Sequence, residues 1–389
     1  MSDPIVSFLD EYLPDYLAHL ERLVNIDCGT HNKAGVDAVG AMVRDMLEAR
    51  AWSVRAHPQP RYGDFLEARF AGHGQVRIML LGHLDTVYPD GTAAERPLRF
   101  ENDRALGPGV SDMKSGLLTG IFAVDALLAT GFRDFAEIIF FINSEEEVGS
   151  PASTPIYTEI ARDIDVALVL ESARANGDIV SARKGGGKLD IRVTGREAHA
   201  GVEPEKGVNA IVELAHQIQA ITALNGMTPG TTVNVCFAKG GTRTNVVPAS
   251  AEASVDVRVV ELAAIAPLED AVAALAQDTV VPGTTVEISG GISKPPMEKT
   301  PAIAFLVELA QQAAHELGFE VQDTLTGGTS DANPLAAIGV PVLDGLGPVG
   351  GHGHSPEEYI DVTSIVPRTA MLASLLRLMA QHQGLKRKT

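Results

Sequence analysis

The sequence contains only two cysteines and one tryptophan in 389 residues. Cys28 and Cys236 are too few for a disulfide framework, and they are not spaced for a zinc site. Basic residues are scarce as well, because 31 Lys and Arg stand against 50 Asp and Glu, for a net charge of −19. A chain of this charge repels nucleic acid and anionic membranes, so neither is an expected partner.

Long apolar runs and targeting signals are also missing. No stretch of about 18 apolar residues offers an ordinary membrane span, and the first residues lack the basic and apolar regions of a secretory signal. Together with the low cysteine content, these features predict a cytoplasmic protein. The length exceeds what one hydrophobic core usually organises, which predicts two domains.

Apolar, β-rich runs alternate with helical patterns in the first part of the chain. Three of them, 76–81, 137–142 and 165–170, are nearly continuous, as is typical of strands buried on both faces. They predict an α/β fold with a mostly parallel sheet flanked by helices. A histidine or carboxylate follows each run, and sites in such sheets form beyond the carboxyl ends of the strands.

From about Lys188 the pattern predicts a different unit. Its elements follow the order β-α-β-β-α-β, which is typical of a ferredoxin-like α+β domain. Because the candidate ligand His354 comes after this region, we expect an insertion at 184–294 within a catalytic domain formed by 1–183 and 295–389. The segments 185–187 and 294–296 are interpreted as its two hinge strands.

Five short segments each contain a residue that can hold a divalent metal. His83 follows a strand, and Asp85 is close enough to accept the second imidazole N–H and fix the tautomer. Asp112 lies in a loop rich in Gly and Pro, where a carboxylate can bridge two cations about 3.5 to 4 Å apart. A helix N-cap is the other interpretation of Asp112.

Glu145, Glu146 and Glu147 follow another strand. Three adjacent carboxylates are unfavourable unless cations or shared protons neutralise them, although an exposed acidic turn remains the alternative. One can bind metal while its neighbour acts as general base toward water. Glu171 and His354 complete a set of nitrogen and oxygen ligands that is large enough for two metals. Such ligands suit Zn²⁺, with Co²⁺ or Mn²⁺ as alternatives.

In combination, the segments 82–87, 107–116, 145–150 and 195–201 resemble the M20 metallopeptidase and deacylase family, and most closely its glutamate carboxypeptidase branch, of the carboxypeptidase G2 type. The resemblance implies a zinc-peptidase catalytic domain and an inserted lid and dimerisation domain, hence a homodimer. The implied metal ligands are His83 and Glu171 for one zinc, Glu147 and His354 for the other, and Asp112 as a bridge.

The same resemblance implies roles for other residues. Glu146 matches the general base, Asp85 matches the partner of His83, and the peptide bond after Asp112 is expected to be cis. His199 matches a histidine that stabilises the oxyanion across the dimer, although it also suits a plain surface loop.

Candidate substrate-binding residues complete what the resemblance implies. Asn245 matches a substrate-binding position, and Arg258 matches one that pairs with a substrate carboxylate, although a strand-edge charge is the alternative. Gly328 and Thr329 lie in a turn that resembles the substrate-side loop of the family.

Three functions therefore remain open from the sequence. The first is a carboxypeptidase that releases a C-terminal amino acid, with glutamate as the first candidate, from small peptides or N-acyl amino acids. The second is a deacylase of the acetylornithine or succinyl-diaminopimelate type, or a dipeptidase. The third is a non-catalytic ligand-binding relative. Glu145, Met113 and Lys294 depart from the pattern of the glutamate enzymes, so a glutamate preference is left open.

Overall fold

The computed structural model describes residues 3–385, which divide into two compact units. The first unit comprises residues 3–181, Lys299–Leu325 and 330–385. The second comprises Ala182–Glu298 and the short loop Thr326–Thr329. That loop was predicted to belong to the catalytic domain, whereas it groups with the second unit.

A six-stranded sheet forms the centre of the first unit. In spatial order its strands are Ser53–His57, Phe65–Ala71, Glu137–Asn143, Arg77–His83, Val166–Val169 and Val342–Leu343. The last four are parallel, and the first two are antiparallel to their neighbours. Ile78, Leu80 and Phe140 are fully buried, as expected for strands covered on both faces. The predicted α/β class is confirmed, with an antiparallel edge on the sheet.

The helices of the first unit begin at residues that favour helix starts. Asp3 accepts a hydrogen bond of 2.7 Å from the Ile5 N–H at the start of the first helix, and Thr300 caps a later one in the same way. The helices are Pro4–Val24, Lys33–Glu48, Thr92–Glu95, Ser115–Ala129, Thr154–Ile160, Pro301–Glu316, Ala332–Ala337 and Ile365–Gln381. A small sheet of the strands Gly350–Gly351, Tyr359–Asp361, Arg104–Leu106 and Arg99–Glu101 completes the unit.

The last long helix is apolar. Within residues 3–385, Val362–Gln381 is the one segment whose length and composition would allow it to cross a membrane, and 67% of its apolar window is buried in the protein. It packs against Ser115–Ala129, Pro301–Glu316 and Pro4–Val24. Burial of this kind is typical of a core helix.

The second unit is a four-stranded antiparallel sheet with two helices. In spatial order the strands are Thr232–Gly240, Ser250–Val259, Gly185–Thr194 and Thr285–Lys294. The helices Ala210–Thr222 and Ile265–Leu275 contribute Leu214 and Leu268 to one buried core with the sheet. The chain order is β-α-β-β-α-β, so the predicted ferredoxin-like arrangement is confirmed. A short pair, Ala198–His199 with Val246–Val247, lies outside this sheet.

The glycine run 185–187 lies at the edge of the second unit. It is the start of the strand Gly185–Thr194, which pairs with a neighbour on both sides. A Cβ on Gly187 would lie 1.9 Å from the backbone oxygen of Gly291. Glycine is needed at position 187 because the neighbouring strand approaches closely. The run thus lies in a strand at the start of the second unit, and its role as a hinge stays a prediction.

Candidate metal centre

Three neighbouring parallel strands bring histidine and carboxylate side chains to one edge of the main sheet. His83 ends the strand Arg77–His83, and Glu171 follows Val166–Val169. The short turn Glu146–Val148 follows the strand Glu137–Asn143, which lies next to Arg77–His83 in the sheet. The carboxyl ends of parallel strands lie at one edge, so these side chains meet there.

His83 is almost completely buried, with 1% of its surface exposed. Its Nδ1 lies 3.0 Å from the backbone oxygen of Asp85 and 3.4 Å from the carboxylate of the same residue. The backbone oxygen, rather than the expected carboxylate, is thus the nearer acceptor for the Nδ1 proton. With that proton placed, the Nε2 lone pair can face a cation.

Asp112 lies between two sets of candidate ligands. One of its carboxylate oxygens is 3.0 Å from Nε2 of His83, which in turn is 3.6 Å from Glu171. The other oxygen is 3.1 Å from Nε2 of His354, which is also 3.1 Å from Glu147. The Asp112–Met113 peptide bond is cis, as the family resemblance implies. The five predicted ligands therefore form one cluster with Asp112 at its centre.

The chemistry of the cluster fits a divalent cation. Ligand atoms of His83, Asp112 and Glu147 all lie within 4.8 Å of one another. Oε1 of Glu147 is buried and has no hydrogen-bond partner in the described residues. A buried acceptor without a donor is unfavourable by about 1 to 3 kcal/mol, and a cation would satisfy it. Imidazole nitrogens and carboxylate oxygens are ligands that zinc accepts.

Burial and mutual hydrogen bonds shift the pKa values of the cluster residues. Burial, followed by the charge of Asp112, raises the pKa of Glu171 to about 7. Hydrogen bonds with Asp112 and Glu147 raise the pKa of His354 to about 10. For Asp112, burial works in the opposite direction, but hydrogen bonds with the two imidazoles hold its pKa well below the usual range. A cation would have to displace protons from this cluster.

The carboxylate turn has three differently placed glutamates. Glu145 is fully buried, and its Oε1 accepts hydrogen bonds of 2.7 and 2.6 Å from the backbone N–H groups of Ala152 and Ser153. Backbone N–H groups of Glu146 and Glu147 donate to the Asp85 carboxylate at 3.1 and 3.3 Å. Asp85 therefore joins the His83 strand end to the carboxylate turn.

Comparison with known proteins identifies the family of the chain. The sequence model for Peptidase family M20/M25/M40 matches residues 79–378. The chain belongs to the M20 family. Carboxypeptidase G2 from Pseudomonas sp. (strain RS-16) is 32% identical over 93% of this chain and 89% of its own length. The resemblance drawn from the motifs is confirmed, and the protein is an M20-type metallopeptidase.

More distant relatives widen the range of chemistry. Acetylornithine deacetylase from Proteus mirabilis (strain HI4320) is 25% identical over 87% of this chain and 89% of its own length. The crystal structure of aminopeptidase PepT from Bacillus cereus ATCC 10987 is 23% identical, has a TM-score of 0.81, and covers 95% of this chain and 99% of that chain. At this identity the structural likeness supports the fold alone.

In this M20 enzyme, the Glu358 carboxylate accepts hydrogen bonds from the loop that contains Asp112. Its Oε1 accepts hydrogen bonds from the backbone N–H groups of Ser111 and Asp112 at 2.8 and 3.0 Å. Its Oε2 accepts from the Gly109 N–H at 3.0 Å and from the Tyr88 hydroxyl at 2.6 Å. Sequence reasoning missed this residue, whose one signal is an acid directly before an apolar pair.

Asp331 holds both sides of the carboxylate turn. Its Oδ2 accepts a hydrogen bond from the Asn143 side chain, and its Oδ1 accepts one of 2.5 Å from the Ser150 hydroxyl. Tyr157 adds a third hydrogen bond at 3.3 Å. Asn143 and Ser150 flank residues 144–149, so the buried Asp331 carboxylate fixes the turn at both of its ends. The sequence indicated only that Asp331 follows the Gly328-Thr329 turn.

The remaining predicted residues lie in the second unit. His199 and Asn245 are both exposed, and the backbone oxygen of Asn245 accepts a hydrogen bond of 2.9 Å from the Ala200 N–H. Arg258 is partly buried, and its Nε and Nη2 donate to the Asp256 carboxylate at 2.8 to 3.1 Å. Gly328 is exposed and Thr329 is partly buried in the loop Thr326–Thr329. The roles of these residues stay predictions.

Proposed function

We propose that this M20 enzyme is a di-zinc carboxypeptidase that hydrolyses an amide bond and releases a C-terminal amino acid. Small peptides and N-acyl amino acids are the substrates, with glutamate as the first amino acid to test. The placement of Asp112 between two pairs of ligands is the observation that carries the proposal. The similarity to carboxypeptidase G2 over most of both chains supports the substrate class.

Five residues would hold the two cations. His83 and Glu171 would bind one, His354 and Glu147 the other, and Asp112 would contact both. When bound, such cations polarise an amide carbonyl and lower the pKa of water toward ~7. Co²⁺ and Mn²⁺ are alternatives to Zn²⁺, since they accept the same ligands.

Glu146 is the proposed general base. It takes a proton from the attacking water and later passes it to the leaving nitrogen, so that the amine departs neutral. Asp85 supports this step by fixing His83 and by accepting the backbone N–H groups of Glu146 and Glu147.

The second unit is proposed to complete the substrate site. His199 of a second copy would stabilise the oxyanion of the tetrahedral intermediate, which requires a homodimer. Arg258, Asn245 and the backbone of Gly328 and Thr329 would bind the substrate, with Arg258 pairing with its carboxylate. The cytoplasmic location also stays a prediction.

A deacylase acting on small N-acyl amino acids is the second candidate. The similarity to acetylornithine deacetylase over 87% of the chain favours it. The same residues would perform the same proton transfers, and the two candidates differ only in which part of the substrate is recognised.

A substrate panel tests both candidates. The zinc-loaded protein is assayed with N-acyl amino acids and dipeptides, with and without a chelator. Release of C-terminal glutamate from several acyl donors supports the carboxypeptidase. Turnover limited to N-acetyl or N-succinyl compounds favours the deacylase, and absence of hydrolysis with two bound metals indicates a non-catalytic relative.

A further inference from the structure

We propose that a groove beside Glu147 binds the acyl half of the substrate and selects neutral, apolar acyl groups. The inference rests on the proposed amide hydrolysis and adds the chemical class of the acyl group. It concerns the first unit alone, since every lining residue of the groove lies there.

The groove lies beside the candidate metal centre and shares Glu147 with it. It has a volume of about 460 Å³ and follows the loop after His83, from Thr86 to Asp90. Glu147, a candidate metal ligand, is one of its lining residues. The volume lies within the range of about 300 to 1,000 Å³ that is usual for small-molecule sites. A substrate whose carbonyl lies at the metal centre can therefore extend into this groove.

Apolar side chains are exposed along the groove. Val87 and Val148 line it and are 42% and 43% exposed, and Pro89 adds further apolar surface. Single exposed apolar residues are common on proteins. Two valines in one groove next to a reaction site, however, offer a surface that an acyl chain would bury.

Two hydroxyl groups of the groove already have partners. The Thr30 hydroxyl donates a hydrogen bond of 2.6 Å to Asp85, and the Tyr88 hydroxyl donates one of 2.6 Å to Glu358. Polar groups engaged in this way offer little to a ligand. The contribution of the groove to binding is therefore mainly apolar.

The charge of the groove excludes a carboxylate. Asp90 lines it, with the Asn32 amide bonded to its carboxylate at 2.7 Å, and the bound cation would offset the charge of Glu147. The other lining residues include His31 but neither Lys nor Arg. A substrate carboxylate in the groove would meet the negative charge of Asp90 without a lysine or arginine to pair with. The C-terminal end of the substrate thus does not enter the groove, and a succinyl group is disfavoured relative to a neutral acyl group of the same length.

The first test varies the acyl group on one amino acid. The metal-loaded protein is assayed at pH 8, where an ordinary imidazole is neutral. We expect kcat/KM to increase by about 4-fold for each methylene added from acetyl to hexanoyl, the usual effect of burying a CH₂ group. Succinyl is expected to react at least ~10-fold more slowly than butanoyl. Equal rates for succinyl and butanoyl, or no dependence on chain length, would overturn the proposal.

Variants of Val148 locate the effect. Val148→Asp should reduce the hexanoyl-to-acetyl ratio, and Val148→Lys should raise the succinyl-to-butanoyl ratio. Ratios measured within one variant remove general losses of activity. Val280→Lys is the matched control, because Val280 is 51% exposed in the second unit. Unchanged ratios in both Val148 variants would assign the selectivity to another surface.

A binding measurement separates this proposal from the proposed function. Calorimetry with metal-loaded Glu146→Gln protein measures the affinity for N-hexanoyl and N-succinyl compounds without turnover. Tighter hexanoyl binding that Val148→Asp removes would support the groove even if the wild-type protein hydrolysed nothing. Hydrolysis of the whole panel with equal affinities would refute the groove and leave the hydrolase intact.

Discussion

Replacing Glu358 by Gln is expected to weaken metal binding by about 5- to 150-fold without unfolding the chain. The carboxylate accepts four hydrogen bonds, two on each oxygen. Gln keeps one acceptor oxygen, which can stay with the N–H groups of Ser111 and Asp112. The new NH₂ group then meets the Tyr88 hydroxyl, which can turn to accept, and the Gly109 N–H, which cannot. One buried donor without an acceptor is unfavourable by about 1 to 3 kcal/mol, the source of the expected range.

The assay is a zinc titration by competition with a chromophoric chelator, accompanied by thermal unfolding with and without metal. Glu357→Gln is the matched control, since Glu357 is exposed and its carboxylate accepts a hydrogen bond of 3.1 Å from Ser355. The control should bind zinc like the wild type. If Glu358→Gln also had wild-type zinc affinity and kcat, the Asp112 loop would not depend on this carboxylate, and the reasoning would be wrong.

Three further predictions concern the base, the protons and the carboxylate turn. Glu146→Gln should retain its metals and lose at least ~10²-fold in kcat, the scale of a general base; wild-type turnover in a folded, metal-loaded variant would exclude this role. Zinc affinity should increase from pH 6 to pH 8, because His354, with a pKa of about 10, and Glu171, with a pKa of about 7, must release protons when zinc binds. Calorimetry in buffers of different ionisation enthalpy measures this proton release. If no protons were released, these two residues would not be zinc ligands. Asp331→Asn should lower kcat more than it changes KM, because the amide cannot accept at both positions and the turn shifts; Ser150→Ala, which removes one of these bonds, should have a smaller effect.

The clustering of the candidate metal ligands could be predicted because their signal is local. His83 and Glu171 each follow a nearly continuous apolar run, and a side chain at a strand end must lie at the edge of the sheet. The helix and strand order of the second unit was equally predictable, because its alternating and helical periods are distinct.

The supporting residues could not be predicted because their signal is not local. Glu358 lies 246 positions after Asp112 in the chain and binds its backbone N–H, and Asp331 lies 188 positions after Asn143. In the sequence each is one acid among 50 Asp and Glu residues. Only the folded chain distinguishes a buried acceptor of backbone or side-chain donors from an ordinary surface acid. The close approach of Gly291 to Gly187 could not be predicted for the same reason, because the two residues lie far apart in the sequence.

The order of the ligands along the chain has a consequence for biosynthesis. The segment that contains both His354 and Glu358 follows the whole second unit. A growing chain therefore exposes His83, Asp112 and the carboxylate turn long before the final histidine and the anchor of the Asp112 loop have been synthesised. We expect a nascent chain ending before residue 354 to hold zinc weakly and exchangeably, and tight retention to begin only once that last segment has left the ribosome.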